Sequence, residues 1–230
     1  KRLDQHGKLI GFDKDDDVFA YDIVEEHDKT LFKTNVDENV ICMIPVIGAY
    51  NVSNALVALS IAEVLDVPME QAIFQLAQFK LTANRLEWLK TYQGARLLND
   101  AYNASPTSMR AVLQTLSTVE MADTNRKIAV LGDIRELGEG SEQFHRQLSE
   151  VISPDAIEEV FLFGPNMRYL YEELQKEYAS GKLFYEEDSH ENLIVALNAT
   201  IKADDVVLVK SSFGVDLLKV VTALTGNQTK

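Results

Sequence analysis

Arg96-Leu-Leu-Asn-Asp-Ala-Tyr-Asn-Ala-Ser-Pro-Thr-Ser-Met109 runs from an apolar strand through a polar turn into a marked helix start. Residues 96–99 read as the strand. Ser105 supplies an N-cap hydroxyl and Pro106 suits the first helical position, after which Met109, Val112, Leu113 and Leu116 form an apolar stripe over 106–119. The same grammar recurs downstream. Apolar runs at 127–131, 159–163 and 206–210 are followed by helical patterns at 141–152, 166–178 and 215–224, and a further helix near 191–201 precedes the last strand. Short continuous apolar strands alternating with helices predict a parallel sheet covered on both faces, so residues from about 84 onward read as a doubly wound α/β domain. Leu131-Gly-Asp133 and Phe163-Gly-Pro165 each put a glycine at the carboxyl end of a strand, where open parallel sheets carry their ligands.

Upstream the pattern differs. Residues 1–50 hold β-like runs, Asp17-Val-Phe-Ala-Tyr21 and Asn39-Val-Ile-Cys-Met-Ile44, separated by charged turns such as Asp13-Lys-Asp-Asp-Asp17 and closed by Pro45 and Gly48. From Asn51 the period becomes helical, with Val52, Ala55, Leu56, Leu59 and Ala62 on one face, and a second helical run follows Pro68 over 69–78. The segment 80–85 joins the two parts, and no internal repeat or low-complexity tract appears.

Composition narrows the function. Apolar residues at 46% and charged residues at 25% describe a globular chain rather than a disordered one or a disulfide-knit mini-protein. With 22 Lys and Arg against 36 Asp and Glu the net charge is -14, which repels a phosphate backbone and argues against nucleic acid as a partner. The single cysteine, Cys42, excludes an intramolecular disulfide and a Cys-rich zinc site, and reads as a structural residue in a reducing, cytoplasmic setting. No run approaches the roughly 18 to 20 apolar residues of a bilayer span, and residues 1–12 lack the apolar core of a secretory signal.

Common catalytic motifs are missing: neither G-x-x-x-x-G-K-[ST] nor G-x-G-x-x-G occurs, nor H-E-x-x-H, C-x-x-C or G-x-S-x-G. His6, His27, His145 and His190 are scattered without metal-ligand spacing and read as surface or satisfied histidines.

Four segments remain. In Gly48-Ala-Tyr-Asn-Val-Ser-Asn-Ala-Leu56, Asn51 and Asn54 lie three apart at a helix start; either Asn51 caps the helix, or the carboxamides offer the paired donor and acceptor that an adenine edge needs. Arg85, in Leu81-Thr-Ala-Asn-Arg-Leu-Glu-Trp88, suits a phosphate or ribose, or an interdomain ion pair. Asp100 stands at a strand end where a carboxylate can take ribose hydroxyls, and Tyr102, Asn103 and Ser105 follow it toward the same crevice. Last, Val130-Leu-Gly-Asp-Ile-Arg-Glu-Leu-Gly138 with His145, and Val209-Lys-Ser-Ser-Phe-Gly214, suit a carboxylate or amine; Lys210 either holds an anion or simply leaves its strand into solvent.

In order and spacing these segments resemble the Mur ligase family, in the branch that adds D-alanyl-D-alanine. Its G-x-H-N-x-x-N-A motif is met by Gly48-Ala-Tyr-Asn-Val-Ser-Asn-Ala55, the arginine that opens its last domain by Arg85, and Asp-x-Tyr-Asn-Ala-x-Pro-x-Ser-Met by residues 100–109. Leu-Gly-Asp-x-x-Glu-Leu-Gly follows at 131–138. The resemblance implies residues 1–83 as the end of a central ATPase domain and 84–230 as a Rossmann-like C-terminal domain. It implies an ATP-dependent, ADP-forming ligation of D-alanyl-D-alanine to UDP-N-acetylmuramoyl-tripeptide in the bacterial cytoplasm, through an acyl phosphate, with Mg²⁺ offsetting charge.

By position, Asn51 and Asn54 would meet adenine, Arg85 the ribose or phosphates and Asp100 the ribose hydroxyls, with Tyr102, Asn103 and Ser105 near nucleotide or dipeptide. None is a classical catalytic acid, base or nucleophile, so catalysis would rest on positioning and domain closure. Two positions depart from the pattern: Tyr50 stands where the family has His, and Phe213 stands where relatives carry polar or basic residues. The family's UDP-binding domain, P-loop, Mg²⁺ ligands and modified lysine precede its G-x-H-N motif, so the chain reads as a carboxyl-terminal half, inactive alone. The rival readings are another Mur ligase, a folylpolyglutamate synthase-like enzyme, or a non-catalytic nucleotide-binding module.

Overall fold

The computed structural model describes residues 8–26, 28–80, 82–119 and 126–226; His6, His27 and Leu81 lie outside them. The chain divides into two compact units, Lys1–Leu81 and Thr82–Lys230.

The first unit is a four-stranded sheet in the order β1-β2-β3-β4, formed by Ile10–Gly11, Val18–Glu25, Thr30–Thr34 and Asp37–Ile44, followed by helices α1 (Tyr50–Val64) and α2 (Met69–Leu76). Strand alternation puts Val18, Ala20, Phe32, Cys42 and Ile44 inward, against Val52, Ala55, Leu56 and Leu59 of α1. These α1 residues are the buried part of the expected stripe. Burial pushes the Cys42 thiol up to about 11, so almost no thiolate exists at neutral pH. A thiol reagent at pH 8 is therefore expected to leave the native chain unlabelled and to modify Cys42 in urea; fast native labelling would contradict the buried placement.

The second unit is a six-stranded sheet in the order β5-β6-β10-β7-β8-β9. Its strands are β5 (Glu87–Lys90), β6 (Arg96–Asp100), β7 (Lys127–Gly132), β8 (Glu159–Phe163), β9 (Leu183–Glu186) and β10 (Val206–Lys210). All neighbours pair parallel except β5 with β6, so the sheet carries one antiparallel edge on a parallel body. Among the described residues, five α-helices alternate with the strands: α3 (Pro106–Thr118), α4 (Ser141–Gln147), α5 (Met167–Leu174), α6 (His190–Thr200) and α7 (Leu218–Thr225). One face of the sheet, with Leu97, Ile128, Val130, Val207 and Val209, packs on Leu193 and Leu197 of α6 and on Val220, Val221 and Leu224 of α7. The alternate residues Leu98, Leu131, Leu162 and Leu208 point the other way, to the side of α3, α4 and α5. Each fully buried leucine contributes about 1.5–3 kcal/mol, so this two-sided burial outweighs any local propensity in holding the sheet.

Helices α4 and α5 are shorter than the apolar pattern suggests. After Gln147 the chain tightens into a 3-10 turn, Leu148–Val151, and α5 stops at Leu174.

Candidate nucleotide and strand-end sites

Each unit presents one cluster of the residues singled out in the sequence.

In the first unit, Gly48 has φ +100, and a Cβ there would lie 2.5 Å from the ring of Tyr50. Only glycine turns the chain this way and leaves room for the ring that folds back over it. The helix then starts at Tyr50 without a side-chain cap, and Glu25 at the end of β2 accepts the N–H of the preceding Ala49 at 2.9 Å. Asn51 is thus not the cap. Its Nδ2 donates to the Ile47 carbonyl at 2.8 Å, and its Oδ1 faces Asn54 Nδ2 at 3.4 Å. Asn54 is exposed and keeps its own carbonyl oxygen for another partner. The two carboxamides sit at the edge of a hollow of about 330 Å³, whose remaining lining is Ile44, Val46, Ala55, Ala58, Leu76 and Phe79. Apolar walls with one polar edge suit a flat heterocycle with hydrogen-bonding groups on its rim, so these residues fit a purine base.

In the second unit, chemistry gathers at the carboxyl ends of the strands beside β10. Helices leaving β6 and β7 cover one face and the helix leaving β10 the other, which makes β10 the topological switch of the sheet. Asp100 ends β6 and Lys210 ends β10, directly paired in register. Lys210 does not run into solvent as its position at a strand end suggests. It is 2% exposed, and its Nζ donates to Asp100 Oδ2 at 2.5 Å and to the Asn103 carbonyl at 2.9 Å. Asp100 Oδ1 accepts the Leu86 N–H at 3.2 Å. Burial pushes the Asp100 carboxyl above its ordinary range, while Lys210, the Leu86 N–H and Arg85 pull it back down. The carboxylate expected to take ribose hydroxyls is therefore 9% exposed and already engaged on both oxygens, leaving only its second lone pairs for a ligand.

Arg85 lies 4.4 Å from the centroid of the Tyr102 ring, and that ring lies 5.9 Å from the ring of Phe213, itself 63% exposed. Within the second unit the charge of Arg85 also acts on Asp100, whose carboxyl it pulls down. Ser105 accepts the Ser108 N–H at 3.2 Å while Ser108 Oγ accepts the Ser105 N–H at 2.9 Å, a reciprocal cap that occupies its side chain. The Asn103 side chain is left exposed.

Asp133 and His145, weak candidates by sequence, are spent within the fold. Asp133 Oδ1 accepts the N–H groups of Asn166 and Met167, both at 3.0 Å, and Oδ2 accepts Asn166 Nδ2 at 2.9 Å, so it caps α5 from the end of β7. His145 is fully buried; its Nδ1 donates to the Ser141 carbonyl at 2.7 Å and its Nε2 accepts the Ile134 N–H at 3.1 Å. His190 donates from Nε2 to the Val215 carbonyl at 3.0 Å. Both described histidines are satisfied structural ones. No group of three or more His, Cys, Asp or Glu side chains able to hold a metal occurs among the described residues. Among these residues, too, no helix is long and apolar enough to cross a membrane.

The second unit thus carries a strand-end cluster at the switch of a doubly wound sheet, and the first a base-sized apolar hollow with a polar edge. The family model for the Mur ligase, glutamate ligase domain matches residues 84–213, and the chain belongs to the Mur ligase family. The UDP-N-acetylmuramoyl-tripeptide--D-alanyl-D-alanine ligase of Bacillus subtilis is 34% identical over 217 residues, covering 94% of this chain and 47% of that protein. The ligase of the same name from Escherichia coli is 29% identical over 189 residues, covering 81% of this chain and 39% of its own length. Among solved structures, a MurF from Acinetobacter baumannii superposes with a TM-score of 0.80 at 25% identity, over 96% of this chain and 47% of that one. A MurF ligase from Thermotoga maritima in complex with ADP shares the fold, with a TM-score of 0.73 at 23% identity, over 94% of this chain and 47% of that one. The chain spans about half the length of these relatives or less.

Proposed function

We propose that the gene product carrying these residues is an ATP-dependent, ADP-forming ligase that adds D-alanyl-D-alanine to UDP-N-acetylmuramoyl-tripeptide, in the bacterial cytoplasm, on the way to peptidoglycan. The reading is supported above all by the likeness to the Bacillus subtilis ligase along nearly the whole chain. The chemistry would run in two displacements. The tripeptide carboxylate attacks the γ-phosphorus of ATP and ADP leaves; the dipeptide amine then attacks the acyl carbon, inorganic phosphate departs with the C–O electron pair, and the amine gives up a proton. A carboxylate resists attack by an amine until one oxygen becomes a good leaving group, which is what ATP supplies.

The residues of this chain would bind and orient. Asn51 and Asn54 would read the rim of the adenine in the apolar hollow, with Asn51 held in place by its bond to Ile47. Arg85 would meet ribose or phosphate oxygens, and Asp100 would offer its remaining lone pairs to the ribose. Tyr102, packed against Arg85, and the exposed Asn103 would face nucleotide or dipeptide, and Ser105 would keep the loop between them and α3 in shape. The 230 residues contain no P-loop, so alone they are expected not to turn over ATP.

Acceptor-dependent phosphate release by the whole gene product tests the binding roles. Asn54→Leu removes the polar rim at similar size, and KM for ATP should rise about 3- to 10-fold with kcat little changed. Arg85→Ala removes a charge-assisted contact and should raise it by roughly 10-fold or more. An ATP KM unmoved by either change would take both residues out of the site.

A further inference from the structure

We propose that Lys210 is a positioning residue: from inside the sheet it holds Asp100, and Asp100 holds the backbone that aims Arg85. A lysine with 2% exposure does not reach out to a ligand; its ammonium is spent on hydrogen bonds to Asp100 Oδ2 and the Asn103 carbonyl. The other Asp100 oxygen bonds the Leu86 N–H. Leu86 has φ +48 and Asn84 has φ +65, so Arg85 lies between two residues in the left-handed region, which a leucine adopts only when its surroundings impose it. Asn84 is fixed separately, by Asn99 Nδ2 on its side-chain oxygen at 2.8 Å and the Tyr102 N–H on its carbonyl at 3.2 Å. Asp100 is therefore the side-chain anchor on the Leu86 side of Arg85. Lys210 keeps that anchor ionised and in place, against a burial that favours the neutral acid. Without the ammonium the carboxyl takes a proton or turns toward solvent, and in both cases Oδ1 becomes a poorer acceptor for Leu86.

The inference uses the proposed function only for its kinetic consequence, since the geometry itself can be read in the 230-residue chain. In its NMR spectrum the Arg85 Cδ protons should be shifted by the Tyr102 ring, and the Leu86 amide should be protected from exchange. Lys210→Met is expected to abolish that shift and to speed Leu86 exchange about tenfold. Lys210→Met combined with Asp100→Leu replaces the pair by uncharged side chains, keeps the fold where the single variant does not, and should lose the same two signals. Leu116→Ala, a cavity in the buried stripe of α3, should lower stability yet leave both signals unchanged. In the whole gene product Lys210→Met should raise KM for ATP several-fold more than it lowers kcat. Retention of the Arg85 shift and the Leu86 protection in either Lys210 variant overturns the inference. If the signals are lost but Arg85→Ala leaves the ATP KM unchanged, Lys210 still positions Arg85, and it is the nucleotide role of Arg85 that fails.

Discussion

Replacing Arg126 by methionine is expected to destabilise the second unit by about 3–5 kcal/mol, on the order of 10 °C in Tm. Arg126 stands just before β7, at the end of the sheet opposite the strand-end site. Its guanidinium forks onto Asp205, with Nε–Oδ1 at 3.1 Å and Nη2–Oδ2 at 2.6 Å, and its Nη1 bonds Glu159. Nη2 also donates to the Thr200 carbonyl at 2.9 Å, at the last turn of α6, where a cation is favoured by the helix dipole. One side chain thus joins the starts of β7, β8 and β10 to the end of α6. Both carboxylates are buried, and methionine would leave Asp205 with only the Lys202 N–H while Glu159 kept Lys182. Stranding a buried charge costs more than the pair gains by forming, which is why the single removal is severe. Arg126→Lys should recover the charge but not the fork, and fall between the two. Urea unfolding of the chain measures this, and a loss below about 1 kcal/mol for Arg126→Met would contradict the buried network.

Asp133→Ala should cost about 2–4 kcal/mol, since three charge-assisted bonds at the start of α5 end on its carboxylate. Gly164 tests the same contact from the other side. It has φ +111, and a Cβ there would lie 2.6 Å from the Asp133 carboxylate, so Gly164→Ala adds a clash to a strained backbone. In the Asp133→Ala background the clash is gone and only the φ penalty remains. The double variant should therefore lose less than the sum of the singles, by more than the few tenths of a kcal/mol seen for independent sites. Strict additivity would show that the carboxylate does not sit where the cap requires.

The strands that sequence made plain are the central ones. β7, β8 and β10 are runs of apolar residues buried on both sides, and β6, with only Leu97 and Leu98 apolar, is marked by the Ser105-Pro106 helix start that follows it, a local signal that needs no partner to be read. The edges were hidden. Glu87-Trp-Leu-Lys90 and Leu183-Phe-Tyr-Glu186 are four-residue strands, mostly half-buried throughout, so no alternation of buried and exposed positions marks them, nor the antiparallel edge that β5 forms. Asn51 and Asn54 were legible as a pair at a helix start. The choice between cap and base contact is not, because the helix begins one residue earlier, at Tyr50, with no side-chain cap, and the Asn51 amide turns back to the Ile47 carbonyl. Lys210 illustrates the same limit. Nothing local distinguishes a lysine leaving a strand for solvent from one buried against a carboxylate 110 positions away, and only the strand order that places β10 beside β6 makes the pair.

The most direct measurement of the central proposal is phosphate release from ATP by the whole gene product with UDP-N-acetylmuramoyl-tripeptide, each acceptor being offered separately: D-alanyl-D-alanine, D-alanine, L-lysine and L-glutamate. Release with the dipeptide alone is the predicted result. Release with a single amino acid would move the protein to another branch of its family, and release with none would contradict the ligase reading outright.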